Sequence, residues 1–198
     1  NKEIDLNIRD KNNNYLLNYA ILFNNLDIIK LLVDKGAKLD IFDNEGRTIL
    51  YVPLLYNYLE CFKLLIKLNN DSISVPLVDL KDDKKNLPIH YAIYFENIEY
   101  IKILIKNDSN LHSKNKNGYN CLHLAIYTKS LEIVNLILSN NININSKTSE
   151  GENALHIACN FELYDICKEL IKYKININLQ DKQNDFSPLH YTTAVNNK

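Results

Sequence analysis

A spacing of 33 residues constrains this chain more tightly than any single motif in it. Ala92, Ala125 and Ala158 lie 33 apart, inside the strings Pro88-Ile89-His90-Tyr91-Ala92, Cys121-Leu122-His123-Leu124-Ala125 and Ala154-Leu155-His156-Ile157-Ala158. Ser187-Pro188-Leu189-His190-Tyr191 is a further copy, one residue late, and Leu17-Asn18-Tyr19-Ala20 and Thr48-Ile49-Leu50-Tyr51-Val52-Pro53 are earlier ones. The step from Pro53 to Ala92 is 39 instead of 33, so six extra residues fall between them. Glycine confirms the register independently. Gly118 and Gly151 are 33 apart and Gly46 precedes Gly118 by 72, the sum of one long and one ordinary step. Gly36 follows an apolar run, where a left-handed helix cap belongs. All four glycines thus read as backbone punctuation, leaving none for a phosphate-binding loop.

Between the alanine strings runs a second element: Ile28-Ile29-x-Leu31-Leu32, Cys61-Phe62-x-Leu64-Leu65, Tyr100-Ile101-x-Ile103-Leu104, Ile133-Val134-x-Leu136-Ile137 and Ile166-Cys167. Apolar residues at i, i+1, i+3 and i+4 make a broad helical stripe that must be covered on both sides. A unit of 33 residues is too small to cover it alone, so neighbouring units must stack. The pattern predicts an all-α array of helix pairs.

These residues resemble the ankyrin repeat, whose pattern opens with D-x-x-G-x-T-P-L-H-x-A and continues to I-V-x-L-L. Asp43-Asn44-Glu45-Gly46-Arg47-Thr48 and Ser187-Pro188-Leu189-His190 are the copies nearest to it, and Asp34-Lys35-Gly36-Ala37-Lys38-Leu39-Asp40 is similar to the family's G-A-D-V-N loop. The resemblance covers essentially the whole chain. It implies an ankyrin-repeat solenoid of stacked helix-turn-helix pairs with hairpin loops between repeats, and a binding module without chemistry of its own. The expected organisation is one array over residues 1–198, with about five full repeats, partial repeats at both ends and an insertion near residues 69–81. The ends, falling inside repeats, suggest a fragment of a longer array.

Composition excludes several other classes. With 23 Lys and Arg against 24 Asp and Glu, the formal charge of -1 gives no pull toward nucleic acid or an anionic lipid surface. No apolar run approaches the ~18 residues of a membrane span. The 31 Asn, 25 Ile and 21 Lys against only 2 Arg point to A/T-rich codons, as in poxviruses, giant viruses of amoebae or some protists. On that reading most asparagines are drift at solvated positions. Cys61, Cys121, Cys159 and Cys167 form no C-x-x-C pair and lie among apolar residues, as reduced core thiols of a cytoplasmic protein would.

The histidines His90, His123, His156 and His190 recur with the repeat, but a rise of ~10 Å per stacked layer holds them too far apart for one metal ion. The resemblance implies that they hydrogen-bond the start of each first helix and the adjacent repeat. No cofactor, metal or catalytic residue is expected. The signal above this background lies two and three residues after each alanine position, where the resemblance places the first helix's end on a concave face. Leu22, Phe23, Leu55, Tyr56, Tyr94, Phe95, Tyr127 and Phe161 put large apolar groups there, a candidate row for binding a protein partner. The expected function is a monomeric interaction module or scaffold, with no nucleic acid or membrane partner. The alternative is a recognition arm of a larger protein, such as a ubiquitin-ligase adaptor or an enzyme with its catalytic domain elsewhere. Pro53, inside a first helix, should delay or kink it and make the second repeat the weak joint, while the insertion should bulge outward.

Overall fold

A computed structural model describes residues 5–69 and 75–195. The backbone forms two compact units, one of residues 1–95 and 99–109, the other of residues 96–98 and 110–198. The first holds α1 (Leu16–Leu22), α2 (Leu26–Asp34), α3 (Tyr51–Tyr56), α4 (Leu59–Leu68), a 3₁₀ turn (Leu77–Asp79), α5 (Pro88–Tyr94) and nearly all of α6 (Ile98–Lys106). The second holds α7 (Cys121–Tyr127), α8 (Leu131–Leu138), α9 (Ala154–Asn160), α10 (Tyr164–Lys172) and α11 (Pro188–Val195). Among the described residues there is no strand, only the isolated bridges Arg9–Tyr15 and Phe42–Thr48.

Within each unit, first helices stack on first helices and second on second. In the first, α1 packs on α2 and α3, α3 on α4 and α5, and α2 on α4. In the second, α7 packs on α8 and α9, α9 on α10 and α11, and α8 on α10. The repeated alanines explain how closely the helices approach: Ala92, Ala125 and Ala158 are wholly buried. The stripe residues Leu65, Leu104, Ile137 and Leu170 are equally sealed. An all-α fold of stacked helix pairs is thus what the 33-residue pattern builds.

The backbone turns by residues at positive φ, and these obey the same register. One series is Asn13, Gly46, Lys85, Gly118, Gly151 and Asp185; a second is Asn24, Asn57, Glu96, Lys129 and Glu162; a third is Gly36, Asp108, Asn141 and Lys174. Glycine is needed where another chain segment crowds the site. At Gly118 (φ +79) an added Cβ would lie 2.5 Å from the backbone nitrogen of Ser149. Gly118→Ala should therefore cost more than the ~1–3 kcal/mol of a left-handed non-glycine residue alone.

Loop side chains complete the turns. The residue opening each loop accepts backbone N–H groups two and four residues on, as Asp10 does from Asn12 and Asn14, Asp43 from Glu45 and Arg47, Asp82 from Lys84 and Asn86, and Asn115 from Asn117 and Tyr119. Where that residue is Asp, its second oxygen also has a partner. Tyr19 donates to Asp10 at 2.5 Å, Tyr91 to Asp82, and Tyr191 to Asp181 at 2.6 Å. At Asp43 the tyrosine position is Val52, and Arg47 Nε donates instead at 2.7 Å. Neutral Asn115 and Thr148 face Leu124 and Ile157 in the same register, so carboxylate and donor occur together.

Asparagine is more than drift. Asn7 Oδ1 accepts from Lys38 N at 2.8 Å and Asn145 Oδ1 from Asn176 N at 2.7 Å, each bond joining one repeat's loop to the next. His112 occupies the same register, and its Nδ1 accepts from Asn143 N at 3.4 Å. Asn25, Asn120 and Asn153 cap helix N-termini.

The second repeat departs from the sequence reading in an instructive way. α3 starts at Tyr51, two residues later in register than α5, so Pro53 is its third residue and needs no N–H donor. Ile49 and Leu50, left outside the helix, are still buried. The Pro53 carbonyl accepts from Tyr58 N at 2.9 Å and from the Tyr100 hydroxyl at 3.3 Å. The helix is delayed, as expected, and packing accommodates the proline at its first turn. The insertion also does more than bulge: Leu77 and Val78 are buried, and Ser109 Oγ donates to the Val78 carbonyl at 3.2 Å. Residues 70–74 of it lie outside the described residues.

The histidines are structural joints. Nδ1 of His90, His123 and His156 accepts from the backbone N–H three residues before it, at 3.1–3.2 Å. His123 Nε2 then donates to the Ser146 carbonyl at 3.0 Å, and His156 Nε2 meets the Phe186 carbonyl at 3.1 Å, tying each first helix to the following loop. Burial holds the His123 ring neutral and pushes it down to about 4, outweighing the Ser146 carbonyl that favours the proton. Burial lowers His156 as well, again against its carbonyl partner.

Two outcomes are expected. Pro53→Ala should leave stability within about 1 kcal/mol in urea unfolding, because the proline needs no hydrogen bond; a gain near ~3 kcal/mol would reveal strain. His123 is depressed when folded, so its contribution is full above its unfolded value near 6.5 and is lost as pH falls toward about 4. At about 1.4 kcal/mol per pH unit this removes ~3 kcal/mol. Unfolding free energies between pH 7 and 4 should show that slope, and His123→Gln should flatten it.

Candidate protein-binding surface

The candidate residues share one structural cause. The first helices α1, α3, α5, α7 and α9 run barely two turns, and α1, α3 and α9 end on a Schellman-type turn, in which the left-handed residue reverses the chain into the second helix. Asn25 N reaches the Ala20 carbonyl at 2.9 Å, Tyr58 N that of Pro53 at 2.9 Å, and Leu163 N that of Ala158 at 3.0 Å. The two residues before each left-handed position are carried past the packed part of the helix. A large apolar side chain there is held outward by a rigid backbone rather than by a mobile loop.

In the first unit, Phe23 and Tyr94 are the most exposed, at 76% and 73%, with Leu22, Leu55 and Tyr56 also exposed. Phe95 is half-buried among Tyr51, Tyr91 and Tyr94, with ring centroids 5.5–6.3 Å away. Tyr51 meets Tyr91 edge-on at 4.8 Å, and the Arg47 guanidinium lies 4.3 Å from the Tyr51 centroid. Tyr56 stacks on Tyr58 at 5.7 Å. In the second unit, Tyr127 is exposed and contacts Tyr119 and the half-buried Phe161, each at 5.5 Å. Lys129 Nζ sits 5.3 Å from the Phe161 centroid. Burial, with the Tyr119 hydroxyl beside it, pushes the Tyr127 phenol up, so it stays a neutral donor.

Six of the eight candidates are therefore exposed, and Phe95 and Phe161 act partly as packing. Sequence reading missed Tyr51, Tyr91 and Tyr119, the half-buried rings that buttress them. Their tyrosine identity was visible, yet nothing in the repeat pattern separates a buttress from a contact. A cavity of about 130 Å³ opens between Tyr19, Leu22, Arg47 and Val52. That is below the ~300 Å³ of an ordinary small-molecule site, so this face fits side chains better than a cofactor. Among the described residues no three His, Cys, Asp or Glu side chains gather to hold one metal ion, and no helix is long and apolar enough to cross a membrane.

Comparison with known proteins agrees with this architecture. A model of ankyrin repeats in three copies matches residues 2–76 and 73–148, and a single ankyrin repeat model matches residues 150–182. A putative ankyrin repeat protein of Acanthamoeba polyphaga mimivirus is 37% identical over 120 residues, which is 61% of this chain but only 16% of that protein. The crystal structure of the ankyrin repeat domain of Bcl-3, of the IkappaB family, superposes with a TM-score of 0.84 over 94% of this chain and 81% of that one. At 22% identity, that likeness shows the fold alone. Matched by family models along most of its length, the chain belongs to the ankyrin repeat family.

Proposed function

We propose that the chain is a non-catalytic interaction module that captures a protein partner through the ends of its first helices and the adjoining hairpin loops. Ankyrin repeats are protein–protein interaction modules in general; the reading specific to this chain rests on one observation. Leu22, Phe23, Leu55, Tyr56 and Tyr94 in the first unit, and Tyr127 in the second, are large, apolar or aromatic, exposed, and set on rigid turns. Such side chains bury much area at little cost in rotamer entropy, the property of interface anchors. Phe95 and Phe161 then serve as the half-buried floor against which anchors of a partner pack.

We further infer that the repeats act as one array, as a monomer in the cytoplasm, without nucleic acid or membrane as partner. The near-zero charge and the unpaired thiols support that reading. A second reading, the recognition arm of a larger protein, is favoured by the viral relative, of whose length this chain matches only 16%. Both readings need the same surface.

Phe23→Ser with Tyr94→Ser removes the two most exposed anchors without touching the core. Affinity purification from host cells, compared with the parent, should lose specific partners, while helicity by circular dichroism is unchanged. Each true anchor is worth ~2 kcal/mol, so about 30-fold weaker binding per site is expected for a partner so identified. Undiminished capture by a folded double variant would move the binding surface elsewhere.

A further inference from the structure

Tyrosine recurs at one register of the first helices, as Tyr19, Tyr91 and Tyr191, and each donates its hydroxyl to the aspartate of the loop before it. The second repeat breaks this pairing: Asp43 is present, but the tyrosine register holds Val52. Leu124 and Ile157 share that register but stand opposite the neutral Asn115 and Thr148, so Asp43 is the loop aspartate that lacks its ring. The cavity of about 130 Å³ lies at this register, between the first two repeats, with Tyr19, Leu22 and Val52 on its apolar side and Asp43, Asn44 and Arg47 on its polar side.

Asp82 shows how many donors such a carboxylate takes. Its Oδ2 accepts both the Tyr91 hydroxyl and Asn86 Nδ2, the latter at 3.2 Å. Arg47 occupies the register of Asn86, and its Nε takes the corresponding place on Asp43 Oδ2 at 2.7 Å. Arg47 thus supplies a donor but no ring. No described residue takes at Asp43 the place that Tyr91 takes at Asp82.

We propose that this cavity seats a tyrosine side chain of the protein partner, with its ring against Leu22 and Val52 and its hydroxyl donating to Asp43. The inference rests on the interaction-module reading and names one anchor that the partner carries. Size agrees, since a cavity of ~150 Å³ holds a benzene ring. Chemistry agrees as well: an apolar wall facing one acceptor matches a phenol, whereas a phenyl ring would cover the carboxylate and leave it without a donor. Charge favours a neutral occupant over an acidic one. Asp43 and Glu45 share the single Arg47, each at 2.7 Å, and a phosphorylated tyrosine would bring a charge of about −2 against that excess. The seat is also continuous with the candidate row, because Leu22 belongs to both and Leu55 and Tyr56 follow Val52 on α3.

Titration of N-acetyl-tyrosinamide into the isotope-labelled 198-residue chain, followed by amide NMR, tests the seat without the partner. The expected result is saturable shifts confined to residues 14–22 and 43–52, with a dissociation constant in the millimolar range for one side chain. N-acetyl-phenylalaninamide should bind about 10-fold more weakly for want of one hydrogen bond, and the phosphorylated tyrosinamide should not bind. Val52→Tyr gives the cavity a ring of the chain's own and should abolish the shifts. Should that variant fail to fold, Leu22→Ser at the exposed rim should weaken binding several-fold. No saturable shift, shifts spread over the aromatic residues of both units, equal binding of the phenylalanine amide, or tighter binding of the phosphorylated amide or of N-acetyl-lysinamide would each overturn the proposal. Partner capture that is lost in Phe23→Ser with Tyr94→Ser but survives in folded Val52→Tyr would overturn this seat while leaving the interaction module standing.

Discussion

Each helix pair in this protein carries more apolar surface than it can cover alone, and that shortfall drives the rest of the structure. Stripe residues such as Leu65 and Ile137 are sealed only because a neighbouring pair lies against them. Stacking at that closeness is served by alanine at the repeated position of the first helices, with buried Pro53 the larger residue in α3. It also leaves polar backbone groups at every junction, and each must find a partner inside the layer. The histidine ladder is the answer the chain uses. One imidazole accepts a helix-start N–H and donates to the next loop's carbonyl, so a single neutral side chain satisfies groups in two repeats.

The loops solve a related problem with charge. A partly buried carboxylate is costly unless its oxygens are occupied. Buried Asp82 and Asp181 occupy theirs with backbone N–H groups and a tyrosine hydroxyl, half-buried Asp43 substitutes an arginine for the tyrosine, and exposed Asp10 keeps the same tyrosine bond. Where the loop residue is neutral, at Asn115 and Thr148, the tyrosine register holds Leu124 and Ile157. The left-handed turns have the same economy. Asparagine takes several of them because it tolerates positive φ better than most side chains, and at Gly118 and Gly151 the backbone of a neighbouring loop leaves little room for a Cβ.

The candidate binding face follows from these turns. Because each first helix is cut short by a left-handed residue, its last apolar side chains cannot fold back into the layer and stand outside it. Function of this kind asks nothing of the core except rigidity. The likeness to the Bcl-3 ankyrin domain, at 22% identity and a TM-score of 0.84, is accordingly one of fold alone.

The sequence alone determined the repeat, the all-α class and the helix pairs, because each rests on a residue type recurring at a fixed step; the histidine role came from the resemblance to the ankyrin repeat. The same resemblance marked Leu22 through Phe161 as the place to look, since it sets where each first helix ends. Only the tertiary structure decided which of them are free. Phe95 and Phe161 are half-buried in part because rings from neighbouring first helices, Tyr51 and Tyr127, reach them, and no local pattern encodes that contact. The same holds for Pro53. Its ring forbids an interior helix position, yet a later helix start and the Tyr100 hydroxyl, 47 residues away, remove the conflict. Local chemistry fixes what a residue cannot do, and packing between distant residues decides what it does instead.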